Sequence, residues 1–204
     1  MKRLTTKGDV SNDAQDLIEL SIPYRVKVTI KGTSDLLFHR WSCEDVEAKS
    51  KAAKGSDAKK TDNIESFIYR CDNKTIGIPG EYLRGSIINA AKFKQDPRSP
   101  RKSAQDLYKA GIVSLTDLAS LGKTTWDKLH QCRVVIQRNA ITRTRPCFLK
   151  GWEATFILMI LLPEYISFEI LTSVINEAGR LVGIGDFRPT YGRFSVTNIK
   201  ILKD

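Results

Sequence analysis

The 204-residue chain carries 33 Lys and Arg against 23 Asp and Glu, a formal charge of +10, which favours a polyanionic partner or an acidic membrane surface. That length supports one sizeable core with an insertion, not two separate cores. Four scattered cysteines (Cys43, Cys71, Cys132, Cys147) and two histidines (His39, His130) show no zinc-ligand spacing, and the longest apolar run, Phe156 to Pro163, falls far short of the about 20 residues that span a bilayer.

Residues 1–20 are polar and mixed in charge and read as a flexible N-terminal arm, leaving 21–204 as a single domain. The opening MKRLTTKGDV has no apolar stretch for a signal peptide, so a cytoplasmic protein with reduced thiols and no membrane partner is expected. Tyr24 to Lys31 alternates, with Tyr24, Val26, Val28 and Ile30 on one face and Arg25, Lys27, Thr29 and Lys31 on the other. This predicts a half-buried strand with a basic outer face. From Ser42 to Thr61, Ala, Lys, Ser, Asp and Glu dominate without apolar periodicity; here a basic insertion of 42–78 begins, partly helical up to Gly55. Ser66 to Arg70 and Thr75 to Ile78 flank Asp72-Asn73 and predict a small hairpin.

Pro79-Gly80 opens a helix with the apolar stripe Leu83, Ile87, Ala90 and Ala91. Asp96 to Lys102 reads as a basic loop, followed by a turn of helix near Ala104 to Tyr108. Arg133 to Arg138 predicts a short strand, and from Arg133 to Lys150 the chain carries five cations and no acid. Trp152 to Leu162 is an apolar strand. Ile166 to Leu181 is an amphipathic helix with Ile170, Val174, Ile175, Ala178 and Leu181 inward. Phe194 to Leu202 is the closing strand. Without its insertions the order is βαββαβ, an α+β, ferredoxin-like (RRM-like) core in which two helices cover one sheet face.

Two segments stand out chemically. Gly183 to Val196 interleaves Gly183, Gly185 and Gly192 with Arg188, Tyr191 and Arg193, so a backbone able to approach a polyanion sits beside cations and a ring. Ile78 to Ala91 places Gly80, Arg84 and Gly85 in the first turns of a helix.

Together with the N-terminal strand and its bent loop, VKVTIKGTSDLLFHRWS from Val26 to Ser42, these segments resemble the RAMP superfamily of CRISPR-associated RNA-binding proteins. The likeness is greatest to subunits that polymerise along guide RNA as the backbone of multisubunit effectors. The matching residues are Ile78, Pro79, Gly80, Leu83, Arg84 and Gly85 in the helix opening, and Gly183, Gly185, Tyr191, Gly192 and Arg193 in the glycine-rich segment. The resemblance implies that both segments hold an RNA backbone against the sheet, and that an excursion between the second and third strands, by position Asn139 to Gly151, is a short thumb that separates bases. Glu44 and Asp45 lie near the place of the acidic residue with which some backbone subunits cut RNA, but without the surrounding glycines.

The reading that follows is a non-catalytic protein without cofactor or metal that coats single-stranded RNA, or single-stranded DNA, as a homo-oligomer or with other effector subunits. Contacts are expected from Arg25, Lys27, His39, Arg40, Trp41, Arg84, Arg138, Arg143, Arg145, Arg188, Tyr191 and Arg193, with close backbone approach at Gly80, Gly85, Gly183, Gly185 and Gly192. Trp41 serves either stacking or the core. Arg143 and Arg145, two residues apart in an extended segment, are expected to point the same way as exposed charges. The alternatives are an endoribonuclease with His39 as base, for which the sequence offers no acid partner, and an interaction module that blocks or regulates a CRISPR-type assembly.

Overall fold

The computed structural model describes residues 22–53, 63–136 and 139–203. The arm expected over 1–20, the 54–62 part of the insertion and Arg138 lie outside the described residues, as does the side chain of Asp45. Strand β1 (Tyr24–Gly32) buries Val26, Val28 and Ile30 completely, as its alternation requires. It runs antiparallel between β11 (Glu153–Ile160) and β12 (Phe194–Leu202), with Val28 opposite Phe156 on one side and Ile199 on the other. The edge strand β7 (Ile112–Ser114) pairs with β11. The sheet order β12-β1-β11-β7 puts the fourth, first, third and second of these strands side by side. That order is compatible with a ferredoxin-like fold.

Two helices occupy the connections. Helix α2 (Gly80–Ala90) lies between β1 and β7 in the chain, and α4 (Phe168–Glu177) between β11 and β12. Leu83 and Ile87 of α2 and Leu171, Val174 and Ile175 of α4 join the strand residues in one apolar core, each fully buried side chain contributing about 1.5–3 kcal/mol. Ser167 caps α4 by accepting from the Ile170 amide.

Ile170 and Leu181 correct the expected inward face of this helix, because both are exposed. The inward stripe is Leu171, Val174, Ile175 and Ala178, and a π-turn over Ala178–Val182 then swings Leu181 out of phase.

The bent loop after β1 forms β2 (Leu36–Leu37), and the insertion supplies α1 (Cys43–Lys51) and the hairpin of β3 (Tyr69–Arg70) with β4 (Ile76–Pro79), to which β8 (Leu118–Ser120) adds. The stretch expected as a loop at 96–102 is instead a hairpin of β5 (Gln95–Asp96) and β6 (Ser99–Ser103). Asp96 closes it by accepting from the Arg98 amide at 2.9 Å and from the guanidinium at 2.8 Å. This local bonding leaves no apolar periodicity to read. Helix α3 (Gln105–Gly111) follows.

The excursion also differs from expectation. It starts at Lys128 and forms a two-stranded ribbon of β9 (Lys128–Ile136) and β10 (Asn139–Phe148), in register from Asn139 opposite Ile136 to Cys147 opposite Lys128. Its root pairs with β2. Among the described residues no helix is long and apolar enough to cross a membrane.

Candidate nucleic-acid interface

The glycine-rich segment leaves the π-turn and folds back across β2. Gly183, Gly185 and Gly192 have φ of +74, +82 and +72°, and Phe187, with a side chain, sits at +53°. The Ile184 amide donates to the Gly192 carbonyl at 2.9 Å, the Gly192 amide to Asp35 at 2.7 Å, and the Asp186 amide to Leu37 at 2.9 Å. A methyl group at Gly192 would collide with the Ile184 carbonyl, and one at Gly185 would stand 2.6 Å from the Leu37 carbonyl oxygen. The close approach these glycines permit is therefore to the protein's own backbone.

At the base of the segment, Gly32 ends β1 under the Trp152 indole, where any side chain would collide. The indole Nε1 donates to the Ser34 carbonyl at 2.9 Å. Asp35 then ties together three parts of the chain. Its carboxylate accepts from the Lys128 ammonium and from the Lys150 amide, both at 2.9 Å. Partial burial works against ionisation, yet these two donors hold the Asp35 carboxyl below its ordinary range.

Asp186, which sequence reasoning passed over, organises the next layer. Its Oδ2 accepts from Arg145 Nε at 2.9 Å and lies 3.8 Å from His39 Nδ1. Arg145 also stacks over Phe67 at 4.7 Å from the ring centroid, and His39 meets the same ring edge-on at 5.1 Å. Five residues further on, the Tyr191 hydroxyl is 3.4 Å from His130 Nε2, with the rings 5.0 Å apart. Arg145 and His130 are cross-strand partners in the ribbon, so both histidines of the chain converge on one segment. His39 was among the contacts expected from the sequence, whereas His130 carried no signal there beyond the scarcity of histidine.

Several expected contact residues have other settings. Arg145 is 4 % exposed and ion-paired, not an exposed charge beside Arg143. Alternation along β10 gave its direction but not the ring and carboxylate that receive it. Arg84 donates to the carbonyls of Ile112 and Lys109 at 2.7 Å each and to Glu81 at 3.1 Å, locking α2 to the end of α3. A side chain at Gly80 would collide with the Thr116 carbonyl, whereas one at Gly85 would meet nothing within 4 Å. Arg25 and Lys27 do line the outer face of β1, but Arg25 is about 23 Å along the strand from Gly32, away from the cluster. Arg40 lies over the Tyr69 ring at 5.5 Å. Trp41 is 71 % exposed, which rules out the core.

On the other flank of the segment is a cleft of about 530 Å³ between the end of α2 and the loop, lined by Asn89, Lys92, Phe93, Leu181, Phe187 and Arg188 among others. Arg188 and Arg193 are exposed, and Arg193 Nε donates to the Pro189 carbonyl at 2.9 Å.

No protein-family profile and no curated protein matches the sequence. Among solved structures, the fold is similar to that of a chain in the "Cryo-EM structure of the Type III-B Cmr-beta bound to cognate target RNA", with a TM-score of 0.55 and 11 % identity, over 98 % of this chain and 68 % of that one.

Proposed function

We propose that this protein binds single-stranded RNA as a RAMP-type subunit of a CRISPR-like ribonucleoprotein, without cutting it. The carrying observation is that Arg188, Tyr191 and Arg193 stand on a segment held by backbone hydrogen bonds to Asp35 and Leu37, so cations and a ring are presented on a rigid support. Similarity of fold to a chain from a complex bound to target RNA supports RNA over DNA. In this reading the four-stranded sheet is the ferredoxin-like core and the β9–β10 ribbon is the thumb. Copies of the chain, alone or beside other effector subunits, line up along the strand in the manner of guide-backbone subunits.

The test is the salt dependence of binding to a fluorescein-labelled single-stranded RNA. Arg188→Ala with Arg193→Ala removes two phosphate contacts, and the slope of log K against log salt falls in magnitude by about 1.4. A wild-type slope near zero, or tighter binding to the matching single-stranded DNA, would overturn the proposal.

Metal-independent cleavage is the second reading, favoured by the 3.8 Å approach of His39 to Asp186, which supplies the acid partner the sequence lacked. Arg145 already engages that carboxylate oxygen at 2.9 Å, which is why binding stands first. RNA cut in EDTA by the wild type and left intact by His39→Ala would reverse the order.

A further inference from the structure

The helices pack on one face of the four-stranded sheet, against Val26, Val28 and Ile30, and the other face has a character of its own. Residues opposite one another on neighbouring strands share a face, and on this outer side the rows run Leu202–Arg25–Met159 and Lys200–Lys27–Ile157. Val113 of β7 extends the first row. Lys27 and Lys200 therefore stand directly opposite each other, and like charges so placed destabilise a sheet. The other half of the face is apolar. Val113 and Leu115 are exposed, and Leu115, Met159 and Leu202 line, with Pro23 and Arg25, a depression of about 370 Å³ at the end of the sheet.

An occupant of this face must bring anions to one half and apolar side chains to the other. The stretch from Asp9 to Leu20 holds both, Asp9, Asp13, Asp16 and Glu19 beside Val10, Leu17, Ile18 and Leu20. In a chain of charge +10, no Lys or Arg occurs from Asp9 to Tyr24. Twelve residues of extended backbone reach about 40 Å, further than the roughly 27 Å of a strand the length of β1. The segment also ends where it must. The chain bends at Ile22, next to Pro23, which lines the depression. A phosphate backbone would meet the lysines and leave the apolar half in water, so these observations favour the chain's own acidic segment over nucleic acid.

We propose that residues 9–20 fold back across the outer face of their own sheet, with the Asp13, Asp16 and Glu19 carboxylates on the Arg25, Lys27 and Lys200 side and Leu17, Ile18 and Leu20 against Leu115, Ile157 and Met159. The proposal goes beyond the RNA-binding reading and does not rest on it. An acidic segment held there neutralises the opposed lysines and takes the apolar half out of water. It also closes this basic face to outside polyanions, which leaves them the opposite end of the domain, where the glycine-rich segment presents Arg188 and Arg193.

Met159 reports on the cover, because it lies on this face and Met1 is the chain's only other methionine. The experiment follows oxidation of its thioether to the sulfoxide by dilute hydrogen peroxide, read by peptide mass spectrometry. It compares the full-length wild type with a full-length variant carrying Asp13→Lys, Asp16→Lys and Glu19→Lys. Met159 in the variant is expected to oxidise about 3- to 30-fold faster, as the loss of three exposed ion pairs implies, with an unchanged circular dichroism spectrum. Adding Lys27→Glu and Lys200→Glu to that variant is expected to restore the slow rate, since the charges are then exchanged and not removed. Equal rates in the wild type and the triple variant would overturn the proposal. A wild-type rate that rises on dilution would overturn it too, and would assign the cover to a second copy. Further protection of wild-type Met159 by a single-stranded RNA would overturn it in favour of a nucleic-acid surface.

Discussion

The helix opening at Ile78–Gly85 and the glycine-rich segment at Gly183–Arg193 look alike in the sequence, each combining glycines with arginine, and the structure uses them differently. In the helix opening Gly80 and Arg84 turn inward, and Gly85 does not. Gly80 lets α2 start against Thr116, and Arg84 is held by two backbone carbonyls and Glu81. In the glycine-rich segment the glycines also face inward, but they fix a loop from which Arg188 and Arg193 face solvent beside the half-buried Tyr191. Gly80, Gly185 and Gly192 thus mark close backbone packing, which Gly85 does not. Whether the arginine is available depends on which carbonyls surround it.

The largest effect that would break this comparison is at Gly192. An alanine there must hold φ near +72° with its methyl group against the Ile184 carbonyl, a combined cost of about 2–5 kcal/mol. Gly80→Ala meets the Thr116 carbonyl with no positive φ to maintain, and about 1–3 kcal/mol is expected. Thermal unfolding of the two variants should rank them in that order. A Gly192→Ala protein that melts like wild type would mean that the segment is not locked, and the rigid support for Arg188 and Arg193 would be lost.

Next in size is the pair of inward arginines. Removing Arg145 leaves Asp186 without its guanidinium and Phe67 without its stacked cation, while His39 remains nearby. Breaking a fully buried pair costs about 3–5 kcal/mol. Asp186 keeps a quarter of its side chain in water (26 %), so about 2–3 kcal/mol is expected. Arg84→Ala loses bonds at a more open site and should cost about 1–2 kcal/mol. Equilibrium denaturation measures both. Arg143→Ala combined with Arg145→Ala would therefore lower stability as well as affinity. A double variant with unchanged stability and lost RNA binding would return Arg145 to the role its spacing suggested.

How far the sequence could be read follows from which forces leave a pattern. Burial on one face does, so β1, α2 and β12 were legible: Val26, Val28 and Ile30 alternate, and Leu83 and Ile87 recur at helical spacing. Closing strand Phe194–Leu202 has its predicted bounds. Hydrogen bonding within a solvated ribbon does not, so β9 began at Lys128 where only Arg133 onward had been read. The β5–β6 hairpin is closed by an Asp96–Arg98 interaction two residues long, which no periodicity betrays. At the site, Gly183, Gly185 and Gly192 announced an unusual backbone. Asp186 and His130 became meaningful only when folding put them beside Arg145, His39 and Tyr191, contacts 41 to 147 residues apart in the chain.

The smallest effect is the most discriminating, and it concerns Gly85. Unlike Gly80, this glycine lies within α2 with open space where a side chain would be and no positive φ. Nothing inside the protein requires it. Gly85→Ala should therefore stabilise the helix by about 0.5–1 kcal/mol, because alanine loses less backbone entropy on folding. A rise in melting temperature with unchanged RNA affinity would make this glycine incidental and leave the helix opening purely structural. A rise in stability with a fall in affinity would mean that the missing side chain leaves room for the strand. In that case the helix opening and the glycine-rich segment would share the RNA after all, the first by leaving space and the second by presenting charge.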